Sequence, residues 1–392
     1  MNSEAFRKND QSVFYAVLGV IGLVVMAGLG AAYYMEHHGH VVTGMTNQIV
    51  WGLPHVFALF LIVAASGVLN VASIGSVFGK PAYKARAPLS GLLAIAMLAG
   101  GLMVLMLDLG RADRLIIAMT YLNFKSVFAL NVFLYTVFFT VVALYLWTLM
   151  DRKMHGYSKY VGLAAFIWRL ALTTGTGAIF GFLVARQAYG TALLAPMFII
   201  MSFSYGLAVF LVAQAVMYRW NKRTLDEAVL RRMKNLLGVF VAAVLYLTAV
   251  YHMTNLYFAK QVDFEHFILL DGGIYTKLFW IGQILIGSIL PLFLLFTTKK
   301  CSTVVFASLL VILGAFAQLY VFIIGGQAFP LNLFPGMEAT SSFFDSGIHS
   351  YSPSLPEFLL GLGGLAAAVL ITVIAAKVLN FMPKEDYSQA AH

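Results

Sequence analysis

The sequence predicts an all-α, polytopic membrane protein with about ten transmembrane helices, and three observations carry that prediction. Of its 392 residues, 61% are hydrophobic and only 10% are charged, whereas a soluble domain has roughly a quarter charged. Apolar runs long enough for one helical pass, roughly 20 residues each, occur at 13–34, 53–77, 88–107, 128–149, 161–183, 191–217, 236–258, 276–297, 303–324 and 356–380. The period-2 alternation of a transmembrane barrel is absent from them.

Taken in order, the first run follows the polar segment MNSEAFRKNDQS and lacks a small-residue cleavage site. It reads as a retained helix, not a signal peptide. The second opens in NQIVWGLPHVFALF, with Trp51 and His55 at its start and Ser66, Asn70 and Ser73 along one face. The third ends at Asp108, after which Arg111, Asp113 and Arg114 crowd the turn. The fourth starts in NFKSVFALNVFLY, which supplies Asn123, Lys125, Asn131 and Tyr135; the last two are four apart and share a face. The fifth carries Arg169, Thr173 and Thr176 at helical spacing. Among the later runs only the eighth has a proline, Pro291, well inside it.

Two connections stand out. Segment 219–235 is polar and basic, with no nucleotide-binding loop or appended domain. Segment 325–355, rich in Gly, Pro, Ser and Phe, is long for a loop, and long loops tend to be functional. It reads as a docking surface for a partner. The other connections are short, which makes sequential helices antiparallel neighbours.

Net charge is +9 and the isoelectric point about 9.4. In a chain this apolar the excess sets topology, so no nucleic-acid partner is inferred. Basic residues concentrate in alternate gaps, including Lys80, Lys84 and Arg86, then Arg152, Lys153 and Lys159, then Arg219 through Lys234. The positive-inside rule therefore places both termini in the cytoplasm. Asp108 and its arginines then face outward, on the side where topology does not ask for positive charge.

Cysteine and histidine usage excludes several cofactors. Cys301 is the only cysteine, which rules out a disulfide framework, a cysteine-ligated iron–sulfur cluster and a cysteine-rich zinc site. Only His55 and His252 fall within runs, both toward the outside, so no bis-histidine haem b is expected. His37, His38 and His40 form a loop cluster that reads as solvated, and no metal site is assigned. Electrons, if the protein handles them, come from or go to a partner subunit.

Antiparallel threading brings His55, Asp108, Arg111, Lys125, Asn131 and Tyr135, with Trp51 beside them, to one level near the outer interface. A neutral imidazole beside a carboxylate accepts a proton from a hydroxyl. Arg and Lys hold the carboxylate ionised or hydrogen-bond a carbonyl. A lipid-soluble quinol requires that set of groups next to an apolar slot. The plainer alternative is that Asp108 and Arg111 form a helix-capping pair while Lys125 snorkels. Arg169, Thr173, Asn70 and Ser73 read as a proton path from the cytoplasmic side, because charges inside the membrane mark ion or ligand routes. Hydroxyls alone also serve as close-packing contacts.

QIVWGLPHVFALFLIVAASGVLNVASIGSVFGK, LSGLLAIAMLAGGLMVLMLDLGRADR and NFKSVFALNVFLY together resemble the NrfD/polysulfide-reductase family of membrane subunits. ARQAYGTALLAPMF and KLFWIGQILIGSILPLFLL keep the family order, and the resemblance covers residues 45–380. The WGLPH and LNVAS segments are most similar to the branch associated with sulfite-reduction (Dsr) complexes, with hydrogenase and polysulfide-reductase relatives next. The resemblance implies two four-helix bundles, 53–183 and 191–324, with flanking helices 13–34 and 356–380, in a single domain. It implies a quinone-reactive subunit, not catalytic on its own, that exchanges electrons between menaquinone or ubiquinone and an extracytoplasmic ferredoxin-like iron–sulfur subunit. Other membrane and cytochrome subunits would complete the complex in a bacterial or archaeal inner membrane. Carried over by position, His55 matches the histidine opening the first bundle, Asp108 and Arg111 the acidic–arginine motif, and Asn131 and Tyr135 the fourth-span motif.

Two departures stand beside the match. Val56, Phe57 and Ala58 occupy a stretch where some relatives have an acidic residue, and Arg186 precedes Gln187 where some have a histidine. A secondary transporter or a purely structural anchor are the competing readings. Broken helices in corresponding repeat positions would favour transport, and the prolines give only a weak version of that pattern.

Overall fold

The computed structural model describes residues 11–331, 347–379 and 381. Among these, ten helices are long and apolar enough to cross a membrane, and no strand occurs. They are α1 (Gln11–His38), α2 (Leu53–Ser76), α3 (Ala87–Leu107), α4 (Val127–Met150), α5 (Ser158–Gly181), α6 (Leu194–Trp220), α7 (Glu227–Tyr257), α8 (Ile274–Thr297), α9 (Cys301–Ala328) and α10 (Leu355–Val378). The chain is thus an all-α, multi-pass membrane protein.

Helices α2 to α5 pack as one ring of four and α6 to α9 as another, joined along α2 and α6. Helix α10 lies against α2 and α3, and α1 packs on α10. Helix α2 is buried along nearly its whole length, whereas α1 is mostly exposed. The α2–α6 seam is close because it is built from small residues. A Cβ on Gly67 would collide with the backbone of Ser202, and one on Gly206 with that of Gly67 and Val68. With no water to expel between apolar helices in lipid, such backbone approach is what packing has to work with.

Two boundaries and one stretch of helix winding depart from what the apolar runs predict. Helix α1 continues to His38, so His37 and His38 sit on a helix end, not in a loop. Helix α7 begins at Glu227, nine residues before its apolar run, because Asp226 caps it by accepting from the Ala228 amide at 2.8 Å. Much of the basic 219–235 connector is therefore the first turns of a transmembrane helix. Helix α8 is wound as a π-helix from Leu278 to Ile289, just before Pro291. Proline lacks an N–H and crowds the carbonyl four residues earlier, and a widened turn is one way to absorb it. About half of the long 325–355 segment, residues 332–346, lies outside the described residues.

Helix α1 ends and α2 begins on one face of the molecule, the His55 face. The opposite face carries the first turn of α1 and the last turn of α10.

Candidate functional site

The start of α2 is fixed from α10. The Leu53 amide donates to the Tyr351 hydroxyl at 2.7 Å, and that hydroxyl donates to Glu357 Oε1 at 2.6 Å. Glu357 is fully buried; its other oxygen accepts from the amides of Gly44 (2.8 Å) and Ser354 (2.7 Å), the latter closing a capping box on α10. A capping box satisfies two helix-end amides, and here the same carboxylate also ties down the α1–α2 loop. The segment before α2 is held from α9. Gln327 Oε1 accepts from the Val50 and Trp51 amides at 3.0 Å, and its Nε2 donates to the Trp51 carbonyl at 3.0 Å. Arg186 spans this knot, donating to the carbonyls of Gln327 (3.0 Å) and Gln48 (2.7 Å).

On this frame His55 Nδ1 lies 2.9 Å from Asp108 Oδ2. A second imidazole approaches from the α1–α2 loop. His40 Nε2 is 3.1 Å from the Asp108 carbonyl and 3.8 Å from Oδ1. The Asp108 side chain is 1% exposed, against 20% for His55 and 31% for His40. Beyond these contacts neither carboxylate oxygen has a hydrogen-bond donor among the described residues. Gly110 makes the arrangement possible. Its φ of +68° turns the chain sharply after α3, and a Cβ there would meet the His40 ring at 3.0 Å; glycine adopts such a φ without steric cost.

Charge and burial pull against each other on Asp108. Burial raises its pKa, but hydrogen bonding and charge from His40 and His55 outweigh this and hold it below the ordinary 3.8. The carboxylate in turn raises the His40 imidazole above its ordinary 6.5, against the effect of the ring's own partial burial. With an ionised carboxylate on Nδ1, the His55 proton is held on that nitrogen and Nε2 is left as acceptor, the usual consequence of such a contact.

The structure brings some of the expected residues to this dyad and sends others away. The Trp51 ring centroid is 6.2 Å from that of His55, 6.3 Å from Phe128 on α4 and 5.6 Å from Phe180 on α5. Asn131 is buried one turn into α4, donating to the carbonyls of Val127 (2.8 Å) and Gly175 (3.0 Å), with Oδ1 unpartnered among the described residues. Tyr135 is buried below it, beside Thr176 of α5. Arg111 does not reach Asp108. Past the Gly110 turn it points outward and pairs with Asp113 through two 3.0 Å bonds, both side chains about 60% exposed. Lys125 is likewise exposed, in the turn before α4. Sequence reasoning missed His40. The loop cluster containing it divides, with His38 Nδ1 bonded to the Tyr34 carbonyl and the His37 ring stacked on Tyr33.

A second histidine–carboxylate dyad ends the other ring on the same face. His252 Nδ1 lies 2.6 Å from Glu265 Oε2, and Asn255 donates to Oε1 at 2.7 Å. Glu265 is fully buried. Beneath it is a small cavity of about 30 Å³, lined by Thr248, Gln283 and Gln318 among apolar residues and bordered by the π-helical turns of α8 and α9.

Toward the opposite face, Arg169 is 1% exposed; its Nε and Nη1 have no partner among the described residues. Its guanidinium lies 4.8 Å from the Phe166 ring centroid and 5.1 Å from that of Phe203. An arginine at a membrane helix centre costs about 2.5–3.5 kcal/mol on insertion scales, so its retention calls for a reason. Thr173 donates to the Arg169 carbonyl at 2.6 Å and Ser66 to the same carbonyl at 3.1 Å, their hydroxyls being 2.7 Å apart. Ser73 bonds its own helix at the Leu69 carbonyl. Asn70 and Ser73 face the same cavity as Arg169.

Fold and site together define a multi-pass helical membrane protein with two histidine–carboxylate pairs on one face. The family profile described as "Polysulphide reductase, NrfD" matches residues 41–331, and the chain belongs to this family. Among its relatives is the "Hdr-like menaquinol oxidoreductase integral membrane subunit" of Archaeoglobus fulgidus, 28% identical over 386 residues, covering 97% of each chain. A putative dimethyl sulfoxide reductase membrane subunit of Halobacterium salinarum is 28% identical over 401 residues, covering 92% of this chain and 90% of its own. A selenate reductase subunit of Mesobacillus selenatarsenatis is 21% identical over 426 residues, covering 97% of each.

Proposed function

We propose that the protein is the quinone-interacting membrane subunit of an oxidoreductase complex and that His55 and Asp108 take the quinol's proton. The observation that carries this is the 2.9 Å contact between a partly exposed imidazole and a buried carboxylate with spare acceptor capacity. Oxidation of a quinol releases two electrons and two protons, and the chain's own residues handle the protons. His55 Nε2 accepts one hydroxyl proton, Asp108 stabilises the imidazolium that results, and the second proton follows the same route once the first has passed outward by way of the partly exposed His55 and His40 rings. Trp51, Phe128 and Phe180 provide an aromatic wall of the kind a flat ring packs against. Asn131 and Tyr135 stand further along the α4–α5 seam as further polar groups of the site.

Electrons leave to a partner, for which an extracytoplasmic ferredoxin-like iron–sulfur subunit is the best fit, with other membrane and cytochrome subunits alongside. The orientation consistent with the basic residues puts the His55 face outside and both termini in the cytoplasm of a bacterial or archaeal cell. Menaquinone is favoured over ubiquinone because the Archaeoglobus relative belongs to a menaquinol oxidoreductase. Sulfite or sulfide metabolism is supported by the WGLPH and LNVAS segments.

The test is quinol-dependent reduction of the partner subunit by the assembled complex carrying His55→Ala or Asp108→Asn. A fall of about 100-fold or more is expected, the scale of a lost general base. Wild-type rates in both variants, with the complex intact, would remove the site assignment.

A further inference from the structure

We propose that the cavity around Arg169 binds the head of an anionic amphiphile, a carboxylate or phosphate group carried on an acyl chain. The cavity holds about 250 Å³ and lies between α2, α5, α6 and α7. It reaches from the middle of the molecule toward the face opposite His55, where α2 ends. Beside the Ser73 hydroxyl, which donates to its own helix, the cavity's unpartnered buried atoms are of one kind. Arg169 Nε and Nη1 and Asn70 Nδ2 are buried and unpartnered among the described residues, and all three are donors. What they lack is an acceptor.

The missing acceptor also has to carry charge. Among the described residues no Asp or Glu lines the cavity, and a guanidinium stays protonated in proteins. Phe166 and Phe203 lie within cation–π range of it, which favours the cation but supplies no in-plane acceptor for its N–H groups. Arg232 lies one turn of α7 beyond the lining residue Leu236, toward the cavity's outer end. It extends the positive field in that direction.

The rest of the wall selects for a chain, not a hydrated ion. Phe78, Phe166, Phe203 and Phe240 line it with aliphatic neighbours. Phe78, just past the end of α2, is 59% exposed and marks where an acyl chain would leave for the bilayer. A proton path makes other demands. It needs groups that release and regain protons, whereas the Ser66 and Thr173 hydroxyls are committed to the Arg169 carbonyl and to each other.

The test is native mass spectrometry of the full protein in detergent, titrated separately with oleate, dioleoylphosphatidylglycerol and dioleoylphosphatidylcholine. One saturable site for an anionic amphiphile is expected, weakened at least about tenfold by Arg169→Gln, as loss of a charged hydrogen bond predicts. Leu236→Trp, which narrows the cavity and leaves the arginine in place, should also abolish tight binding, and it decides the matter if Arg169→Gln does not fold. Preference for oleate identifies a carboxylate head and preference for phosphatidylglycerol a phosphate head. Equal retention of all three lipids undiminished by either variant, absence of any saturable site, or a neutral quinone retained in place of both anions would each overturn the proposal. The outer site plays no part in this experiment, so its failure leaves the His55 reading standing.

Discussion

The two four-helix rings end on the same face in a histidine–carboxylate pair, yet the pairs are built differently. Asp108 is shared by imidazoles from two separate segments, α2 and the α1–α2 loop, and both rings are partly exposed. Glu265 is served by His252 and Asn255, three residues apart on one helix, and is fully buried, with the His252 side chain 14% exposed. The first carboxylate keeps unfilled acceptor capacity beside rings that reach the surface. The second has each oxygen matched to a near partner. A group that exchanges protons with a visiting molecule needs the first arrangement, and one that holds a fold together is better served by the second. The contrast supports the proposal that exchange chemistry belongs to the first ring, although each ring carries a histidine and a carboxylate.

The largest expected effect separates the two directly. In the assembled complex, Asp108→Asn should lower quinol-dependent electron transfer by about two orders of magnitude or more, together with the loss of the stability the ionised carboxylate shares with His40. Glu265→Gln should affect stability alone. Electron transfer should stay within a few-fold of wild type, while stability falls by about 1–3 kcal/mol through a buried, imperfectly matched hydrogen-bond group. Parallel losses of electron transfer in both variants would break the comparison.

A smaller effect comes from pH. His40, with a raised pKa, and Asp108, with a lowered one, face each other with His55 and Glu36 nearby. Stability from protonated His40 is complete below its unfolded value of about 6.5 and fades as pH rises through the higher folded value. Stability from ionised Asp108 is present above 3.8 and fades as pH falls through its lower folded value. The thermal midpoint should therefore be highest between these limits and decline on the alkaline side. Replacing His40 by Ala should flatten that alkaline decline; an unchanged profile would show that His40 does not sense Asp108.

Smaller again is the effect of the α10 clamp. Tyr351→Phe removes the hydroxyl that joins the Leu53 amide to Glu357, a loss of about 1 kcal/mol in a typical case. The rate should fall by less than about tenfold, with the pH profile kept, since the frame moves and the dyad's chemistry does not. A Glu265-side control, such as Asn255→Ala, should leave the rate alone.

Much of this arrangement is legible in the chain itself, and the rest has physical reasons to stay hidden. The ten spans follow from bilayer thickness, and the approach of His55 to Asp108 follows from antiparallel threading, because both sit at helix ends on one face. His40 cannot be found that way. It belongs to a short loop whose path is set by Glu357, some three hundred residues away, and by the left-handed turn at Gly110. Glu265 escapes notice for a related reason. It stands in the α7–α8 connection, where a carboxylate ordinarily meets water, and only packing shows it fully buried. The Arg186 position, a departure from relatives in sequence, proves to join backbone carbonyls from two distant segments.

The smallest expected effect bears on Arg111, which spacing alone sets beside Asp108 at i+3. That spacing presumes a continuing helix, but α3 stops at Leu107 and Gly110 reverses the chain. The arginine forms its paired bonds with Asp113 in open solvent, where an ion pair adds little. His40 occupies the role that helical spacing assigns to Arg111, reaching the carboxylate from another part of the chain. Arg111→Ala should thus leave both the quinol-dependent rate and the alkaline decline of the thermal midpoint unchanged, while His40→Ala alters the decline. If Arg111→Ala instead matched Asp108→Asn in electron transfer, the outward turn at Gly110 would have to close when the quinol binds. The arginine would then be a catalytic residue in the bound state, and the first ring's site would be larger than the dyad.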